Sequence, residues 1–334
     1  MKIGIAGAGV MGSTHAAAWK ETQATIYGFV ASPPQEAQKL ADLYGAKVFP
    51  DYTSMLEEVD IVDICTPTFL HCEMVLQAAA AGKQIICEKP LALNIADGQK
   101  MIAACKKANV RLFVAQVVRF FPEYALAKQT VESGDIGQVG VVRLSRGSFR
   151  PKKPTGNWFL DESKSGGIMM DLMVHDFDYA RWISGDVESV YAQKITKHFP
   201  DSPVDYATAI LKHRSGAISH VAGAWAYPPP TFRTGFEISG DGGMIEFDSD
   251  ATAPIRNLIQ KSGDNSSDVG LPSSPVLESP YTSEIKEFYA AITENKPVRV
   301  QPEDGLAAVQ IALAAIESVK SGKAVKLESL VEAQ

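Results

Sequence analysis

Several classes of protein are set aside by what this sequence lacks. No apolar run approaches the roughly 20 residues that a bilayer-spanning helix needs, so no membrane association is expected. Positive charge is in deficit: 32 basic against 39 acidic side chains leave a formal charge of −7. That is the wrong sign for a surface that neutralises phosphates, and no nucleic-acid partner is expected. Cysteine is scarce, with four in 334 residues and no CxxC pair, so neither a zinc site nor a dithiol redox motif is indicated. Cys65 and Cys87 lie in apolar strand-like runs, Cys105 in a helical pattern and Cys72 just past a turn. They read as inert, buried thiols. No internal repeat is visible, and residues 2–7 already read as a first strand, which argues against a cleaved leader and for a cytoplasmic protein.

What remains is an ordinary globular composition, 46% hydrophobic and 21% charged, in a chain long enough for two cores. Over residues 1–120, apolar runs at 2–6, 25–30, 61–65, 84–87 and 111–115 alternate with helical patterns at 13–22, 34–44, 70–81 and 95–108. This alternation predicts a doubly wound α/β domain with a parallel sheet. Runs such as IVDIC and QIIC, apolar nearly throughout, fit strands buried on both faces. From residue 121 to 334 the pattern changes. Strand-like segments at 139–146, 187–196, 206–212, 217–224, 234–239 and 244–247 follow one another with little helix between them, and 214–216 and 240–243 read as hairpin turns. A second, α+β domain with a large, mostly antiparallel sheet is expected. Residues 261–279 read as a surface loop, and helical patterns follow at 283–293 and 303–321. The open face of such a sheet needs a cover, from a helix or from a second copy, so a homodimer or homotetramer through this sheet is expected.

The run GIAGAGVMG sets Gly7, Gly9 and Gly12 in GxGxxG spacing, with Val10 and Met11 between, directly after the first strand and at the start of a helix. There the glycines allow a tight turn, close backbone approach to a pyrophosphate and close helix–strand packing. The helix N-terminus then faces the phosphate charge. The second strand should end about 20 residues on with an acidic residue for the adenosine ribose, but FVASPPQ puts Ser32 there. No carboxylate repels a 2′-phosphate at that point, and the nearest base is Lys39. NAD and NADP both remain open, with a lean to NADP.

Further motifs follow in order: CTPTFLH (65–71), ICEKPLALN (86–94), VVRFFP (117–122), NWFLD (157–161), SGG (165–167) and MMDLMVHDFDYARW (169–182). From the glycine loop onward this series resembles the Gfo/Idh/MocA family (glucose–fructose oxidoreductase, inositol dehydrogenase, rhizopine catabolism), over nearly the whole chain, and within it the inositol-dehydrogenase-like branch. The resemblance implies hydride transfer between a nicotinamide cofactor and a sugar or polyol (a cyclitol, aldose or keto-sugar). It also carries the family's catalytic positions onto Lys89, Asp171 and His175. The family often has glycine two residues before that histidine, where this sequence has Met173.

Oxidising an alcohol carbon requires the hydroxyl proton to leave as well, and a base titrating near neutrality favours His175 over the aspartates. Lys89, at the end of a buried strand, would stabilise alkoxide character. Pro90 fixes the backbone beside it and is cis by resemblance. Read as one helix, 169–182 sets Asp171, His175, Asp178 and Trp182 on a single stripe. Met170, Met173, Val174, Phe177 and Ala180 form the core face. Asp176 points away as a solvated or structural group, Asp178 is either a support for the site or a structural acceptor, and Arg181 is a candidate for an ion pair. A metal on Asp171, His175 and Asp178 is not expected, since one helix stripe spreads these ligands over two turns. Thr66, Pro67, His71 and Glu88 are expected near the nicotinamide, and Arg119, Asn157 and Trp158 near a polyol. The pair Lys152–Lys153 reads as a solvated loop. Two other readings remain: a glycosidase of the same build that uses NAD to oxidise and re-reduce its substrate, and a non-catalytic nucleotide-binding regulator.

Overall fold

The computed structural model describes residues 1–151, 158–197, 204–250 and 278–332. In chain order the first elements are β1 Lys2–Ala6, α1 Val10–Lys20, β2 Thr25–Val30, α2 Pro34–Tyr44, β3 Lys47–Val48, α3 Tyr52–Glu58, β4 Ile61–Ile64, α4 His71–Ala80, β5 Gln84–Glu88, α5 Ile95–Ala108 and β6 Leu112–Ala115. There follow α6 Pro122–Glu132, β7 Val139–Ser148, α7 Glu162–Ser165, α8 Gly167–Asp171, α9 Val174–Ser184, β8 Val187–Lys197, β9 Val204–His213, β10 Ile218–Trp225, β11 Phe232–Gly240 and β12 Met244–Asp248. The chain closes with α10 Pro280–Glu294, α11 Pro302–Ser321, β13 Val325–Lys326 and α12 Leu327–Glu332. Two compact units result, Met1–Phe121 with Ser274–Leu306, and Pro122–Ser273 with Ala307–Gln334.

In the first unit six parallel strands run in the order β3-β2-β1-β4-β5-β6. The inner strand β4 and the edge strand β6 are buried at every position, as a parallel sheet covered on both faces requires. Strand order reverses between β1 and β4, and their carboxyl ends form the crevice where doubly wound sheets bind ligands. Two small elements had no counterpart in the apolar pattern: β3, and α3, which Asp51 caps by accepting the Ser54 N–H at 2.8 Å. The chain leaves this unit after Phe121 and returns to it with α10. There Phe288 packs 5.0 Å from Phe113 and 6.0 Å from Phe120, and Tyr289 meets Trp19 edge-on at 6.1 Å.

The second unit holds a seven-stranded sheet in the order β12-β11-β7-β10-β9-β8-β13. It is antiparallel except for the parallel pair β7–β10. Buried and exposed positions alternate strictly along β9. On β9, Ala207, Ala209 and Leu211 are buried, while Tyr206, Thr208, Ile210 and Lys212 are exposed. Helix covers the inner face: α9 lies against β7, and Tyr124 of α6 meets Tyr179 and Phe236 at 4.8 and 5.0 Å. α6 has no counterpart among the helical patterns expected for this region. The outer face carries Tyr191, Ile195, Tyr206, Ile210 and Ile218, all 39% exposed or more. Neighbours across this face pair Ile195 with Tyr206 and Tyr191 with Ile210. The expected surface loop at 261–279 lies, but for its last two residues, outside the described residues. Among the described residues no helix is long and apolar enough to cross a membrane.

Candidate active site

The glycine loop is built by close approach. Gly7 has φ +100, and a Cβ there would sit 2.4 Å from the Cys65 carbonyl oxygen, so the turn after β1 crosses β4 without room for a side chain. At Gly12 a Cβ would fall 1.9 Å from the Gly7 oxygen, which closes α1 down on the turn. Gly9 stands at the α1 N-cap, no side chain caps the helix and its first turn holds no acid. Its N–H groups are therefore left for an anion, which fits a dinucleotide pyrophosphate. Val10 and Met11 form that first turn and are half-buried. Ser32 is exposed just beyond β2. Lys39, the nearest base, is paired with Glu36 at 3.0 Å.

At the carboxyl ends of β4 and β5 the chain turns twice, and His71 ties the turns together. It is buried at the start of α4, with Nε2 3.0 Å from the Thr66 carbonyl and Nδ1 3.0 Å from the Pro90 carbonyl. A neutral ring carries one N–H and donates to one of these at a time; burial holds the His71 pKa below the ordinary value. Thr66 and Pro67 are half-buried beside it. Glu88 is buried, and its Oε2 accepts the Lys89 N–H at 3.0 Å. Lys89 is half-buried, and the Lys89–Pro90 peptide is cis.

Beneath these turns lies a cluster that sequence reasoning missed. His15 of α1 is fully buried, its Nδ1 2.9 and 3.1 Å from the two oxygens of Asp63 on β4. Asp63 also accepts the Trp19 indole N–H at 2.7 Å. Burial alone would lower the His15 pKa, but the Asp63 carboxylate reverses this by charge and hydrogen bond, and the ring is held well above the ordinary value. His15 Nε2 lies 3.0 Å from Glu88 Oε1, an ion-pair distance without hydrogen-bond alignment. Glu284 of α10 is also fully buried, and neither of its oxygens has a hydrogen-bond partner among the described residues. Burial, joined by the Glu88 and Asp63 charges, pushes its pKa well above the usual carboxylate range, which keeps it neutral. One signal was present in the sequence: Asp63 is a carboxylate inside a strand buried on both faces, and such a group needs partners. His15, Asp63 and Cys65 bring ligand atoms within 4.8 Å of one another. Asp63 is already committed to His15 and Trp19, however, and burial pushes the Cys65 thiol up, so the set suits a structural ion pair better than a metal.

Asp171 and His175 belong to the second unit, and the single helix expected for 169–182 is corrected. α8 ends at Asp171 and α9 begins at Val174, with Leu172 and Met173 forming a turn in which both N–H groups donate to the Ile168 carbonyl. Asp171 therefore closes one short helix and His175 opens the next. Asp171 is 8% exposed and His175 half-buried. The core face is as expected: Met170, Met173, Val174, Phe177 and Ala180 are fully buried. Met173, which stands where the family often has glycine, packs against the sheet. A Cβ on Gly223 of β10 would meet its Cγ at 2.4 Å, so Met173 occupies space that Gly223 leaves on the sheet.

Asp176 is not solvated. It is fully buried in a two-pronged ion pair with Arg146 of β7, Nε to Oδ2 at 2.8 Å and Nη2 to Oδ1 at 2.9 Å. Asp178 is buried, and Arg181 pairs with Asp186 at 2.9 Å near the surface. Trp158 is half-buried and stacked on Phe159 at 4.0 Å. Asn157, with Lys152 and Lys153, lies outside the described residues. Arg119, in the first unit, is buried, with Nη1 donating to the Arg299 carbonyl at 2.8 Å and to Asp304 at 3.2 Å. This ties the turn after β6 to the start of α11.

A GxGxxG turn at the switch point of a six-stranded parallel sheet, followed by a unit built on a mostly antiparallel sheet, defines a two-unit oxidoreductase of the Rossmann type. Residues 1–116 match an oxidoreductase family described by its NAD-binding Rossmann fold, and residues 124–246 match the Gfo/Idh/MocA C-terminal domain. The chain belongs to the Gfo/Idh/MocA oxidoreductase family. It is 32% identical to a myo-inositol 2-dehydrogenase of Thermotoga maritima, over 99% of this chain and 100% of that protein. An inositol 2-dehydrogenase of Rhizobium meliloti is 28% identical over 98% of this chain and 99% of its own. Among solved structures, a levoglucosan dehydrogenase in complex with NADH and levoglucosan is similar with a TM-score of 0.82, at 27% identity and 98% coverage of each chain.

Proposed function

We propose that the protein is an NAD-dependent dehydrogenase or reductase of a sugar or polyol, most nearly an inositol-type cyclitol. The observation that carries this reading is the full-length likeness to inositol 2-dehydrogenases in a chain that has Lys89, Asp171 and His175 at the positions of the family motifs. NAD, when bound, supplies the acceptor for the hydride. His175 accepts the hydroxyl proton as that hydride leaves, and returns it in the reverse direction. Asp171 favours the charged imidazolium so formed, and the Lys89 ammonium stabilises alkoxide character on the oxygen. Gly7, Gly9, Gly12 and the uncapped first turn of α1 are the groups proposed to hold the pyrophosphate. Thr66, Pro67 and Glu88 are proposed beside the nicotinamide, and Trp158 and Asn157 at the substrate. The pairing of Lys39 with Glu36 offers a 2′-phosphate no net positive charge, which favours NAD over the NADP that Ser32 alone suggests.

A second copy of the chain is the proposed cover for the outer sheet face, where Tyr191, Ile195, Tyr206, Ile210 and Ile218 stand together; a monomer in light scattering would remove that part. A cytoplasmic location fits the four free cysteines. The functional test is a panel of cyclitols, aldoses and keto-sugars assayed in both directions with NAD and NADP. Reduction of NAD by a cyclitol or sugar is expected. Release of a sugar from a glycoside without net NADH would favour the NAD-dependent glycosidase, and binding of NAD with no turnover would favour the regulator.

A further inference from the structure

Lys89 stands between two residues that are each held by a buried histidine. On its N-terminal side, Glu88 accepts the Lys89 N–H at 3.0 Å with one oxygen and faces Nε2 of His15 at 3.0 Å with the other. His15 is in turn fixed through Nδ1 by Asp63, which Trp19 also holds. On its C-terminal side, the Pro90 carbonyl lies 3.0 Å from Nδ1 of His71, whose Nε2 faces the Thr66 carbonyl. Both rings are fully buried, so neither is open to substrate.

We propose that His15 and His71 are positioning residues for Lys89. They hold the Glu88–Lys89 peptide unit, through the Glu88 side chain, and the Pro90–Leu91 unit, and so set where the Lys89 ammonium is presented. Each ring also ties Lys89 to another part of the first unit: His15 to α1, the helix that follows the glycine loop, and His71 to the turn after β4. The inference rests on the catalytic role proposed for Lys89, and its consequence for rate is positional. Displacement of a reacting group by about 1 Å is enough to lower turnover by roughly a hundredfold.

The two ring nitrogens can be separated by substitution, because Asn reproduces the reach of Nδ1 and Gln that of Nε2. His15→Asn keeps the Asp63 bond and drops the Glu88 contact, whereas His15→Gln keeps the Glu88 contact. His71→Gln drops the Pro90 bond, and His71→Asn keeps it. The expected result is a fall in kcat of about ten- to a hundredfold for His15→Asn and His71→Gln. KM for NAD should stay near wild type, with partial rescue in His15→Gln and His71→Asn. In the Lys89→Ala background neither substitution should lower kcat further, since both act through the missing side chain.

Amide hydrogen exchange provides a readout independent of turnover. His15→Asn, which loses the charged contact to Glu88, and His71→Gln, which loses the bond to the Pro90 carbonyl, should each speed exchange of the amides of residues 88, 89 and 91 by about fivefold or more. Should one of these two variants fail to fold, the other carries the test at its own side of Lys89. Unchanged exchange across 88–91, or losses of kcat that add in full to that of Lys89→Ala, would overturn the proposal. Normal turnover by Lys89→Ala would overturn the catalytic reading instead, and the exchange data would still decide whether the histidines position this segment.

Discussion

Replacing Asp176 by alanine tests how the second unit holds the helix that carries His175. The Asp176 carboxylate is fully buried and meets the buried Arg146 guanidinium through two bonds of 2.8 and 2.9 Å. Removing one partner of a buried pair costs about 3–5 kcal/mol, far above the 0–1 kcal/mol of an exposed pair. For a unit of this size each kcal/mol moves the melting temperature by about 2–4 °C, so a drop of roughly 6–20 °C is expected. The double variant Arg146→Met/Asp176→Leu removes both charges and should recover most of the loss, because apolar replacements of buried pairs are often neutral. Calorimetry and urea titration of the two variants give the answer. A cost below about 1 kcal/mol for Asp176→Ala, or a double variant as unstable as the single, would refute the burial argument.

Two further expectations concern the interior. Glu284 keeps its proton in the fold, while in the unfolded chain it ionises around the ordinary glutamate value of 4.5. The unfolded state is therefore favoured as pH rises above that value, by about 1.4 kcal/mol for each pH unit until the folded group also ionises. Glu284→Gln removes the penalty, so it should raise stability at pH 7–8 and change it little near pH 4; equal destabilisation at both pH values would contradict the assignment. At Gly223, an added Cβ meets Met173 at 2.4 Å. Gly223→Ala should cost about 1–3 kcal/mol by overpacking, and the cost should largely vanish in a Met173→Ala background. Full additivity by urea denaturation would rule out the pairing.

The parallel sheet was legible because its strands are short apolar runs between helical repeats, and burial on both faces leaves that imprint directly in sequence. The alternation along β9 and β10 marked the second sheet for the same reason. The break at Leu172–Met173 was hidden, since both residues keep helix-like backbone angles and the change lies in their hydrogen bonding. The place of Met173 depends on Gly223, and the return of α10 to the first unit depends on Phe288 meeting Phe113; neither contact has a local signature. His15 read as one more helix residue, because its meaning comes from Asp63 and Glu88 on other strands. Lys89, Asp171 and His175 were found through family resemblance rather than through pattern.

Single-turnover transfer of deuterium from a C–D-labelled cyclitol to NAD, followed in the wild type and in the Lys89→Ala and His175→Ala variants, decides the proposed chemistry. Transfer is expected in the wild type, with a loss of at least about a hundredfold in each variant, the size of acid–base effects, and with NAD still bound. Transfer at near-normal rates in either variant would contradict it.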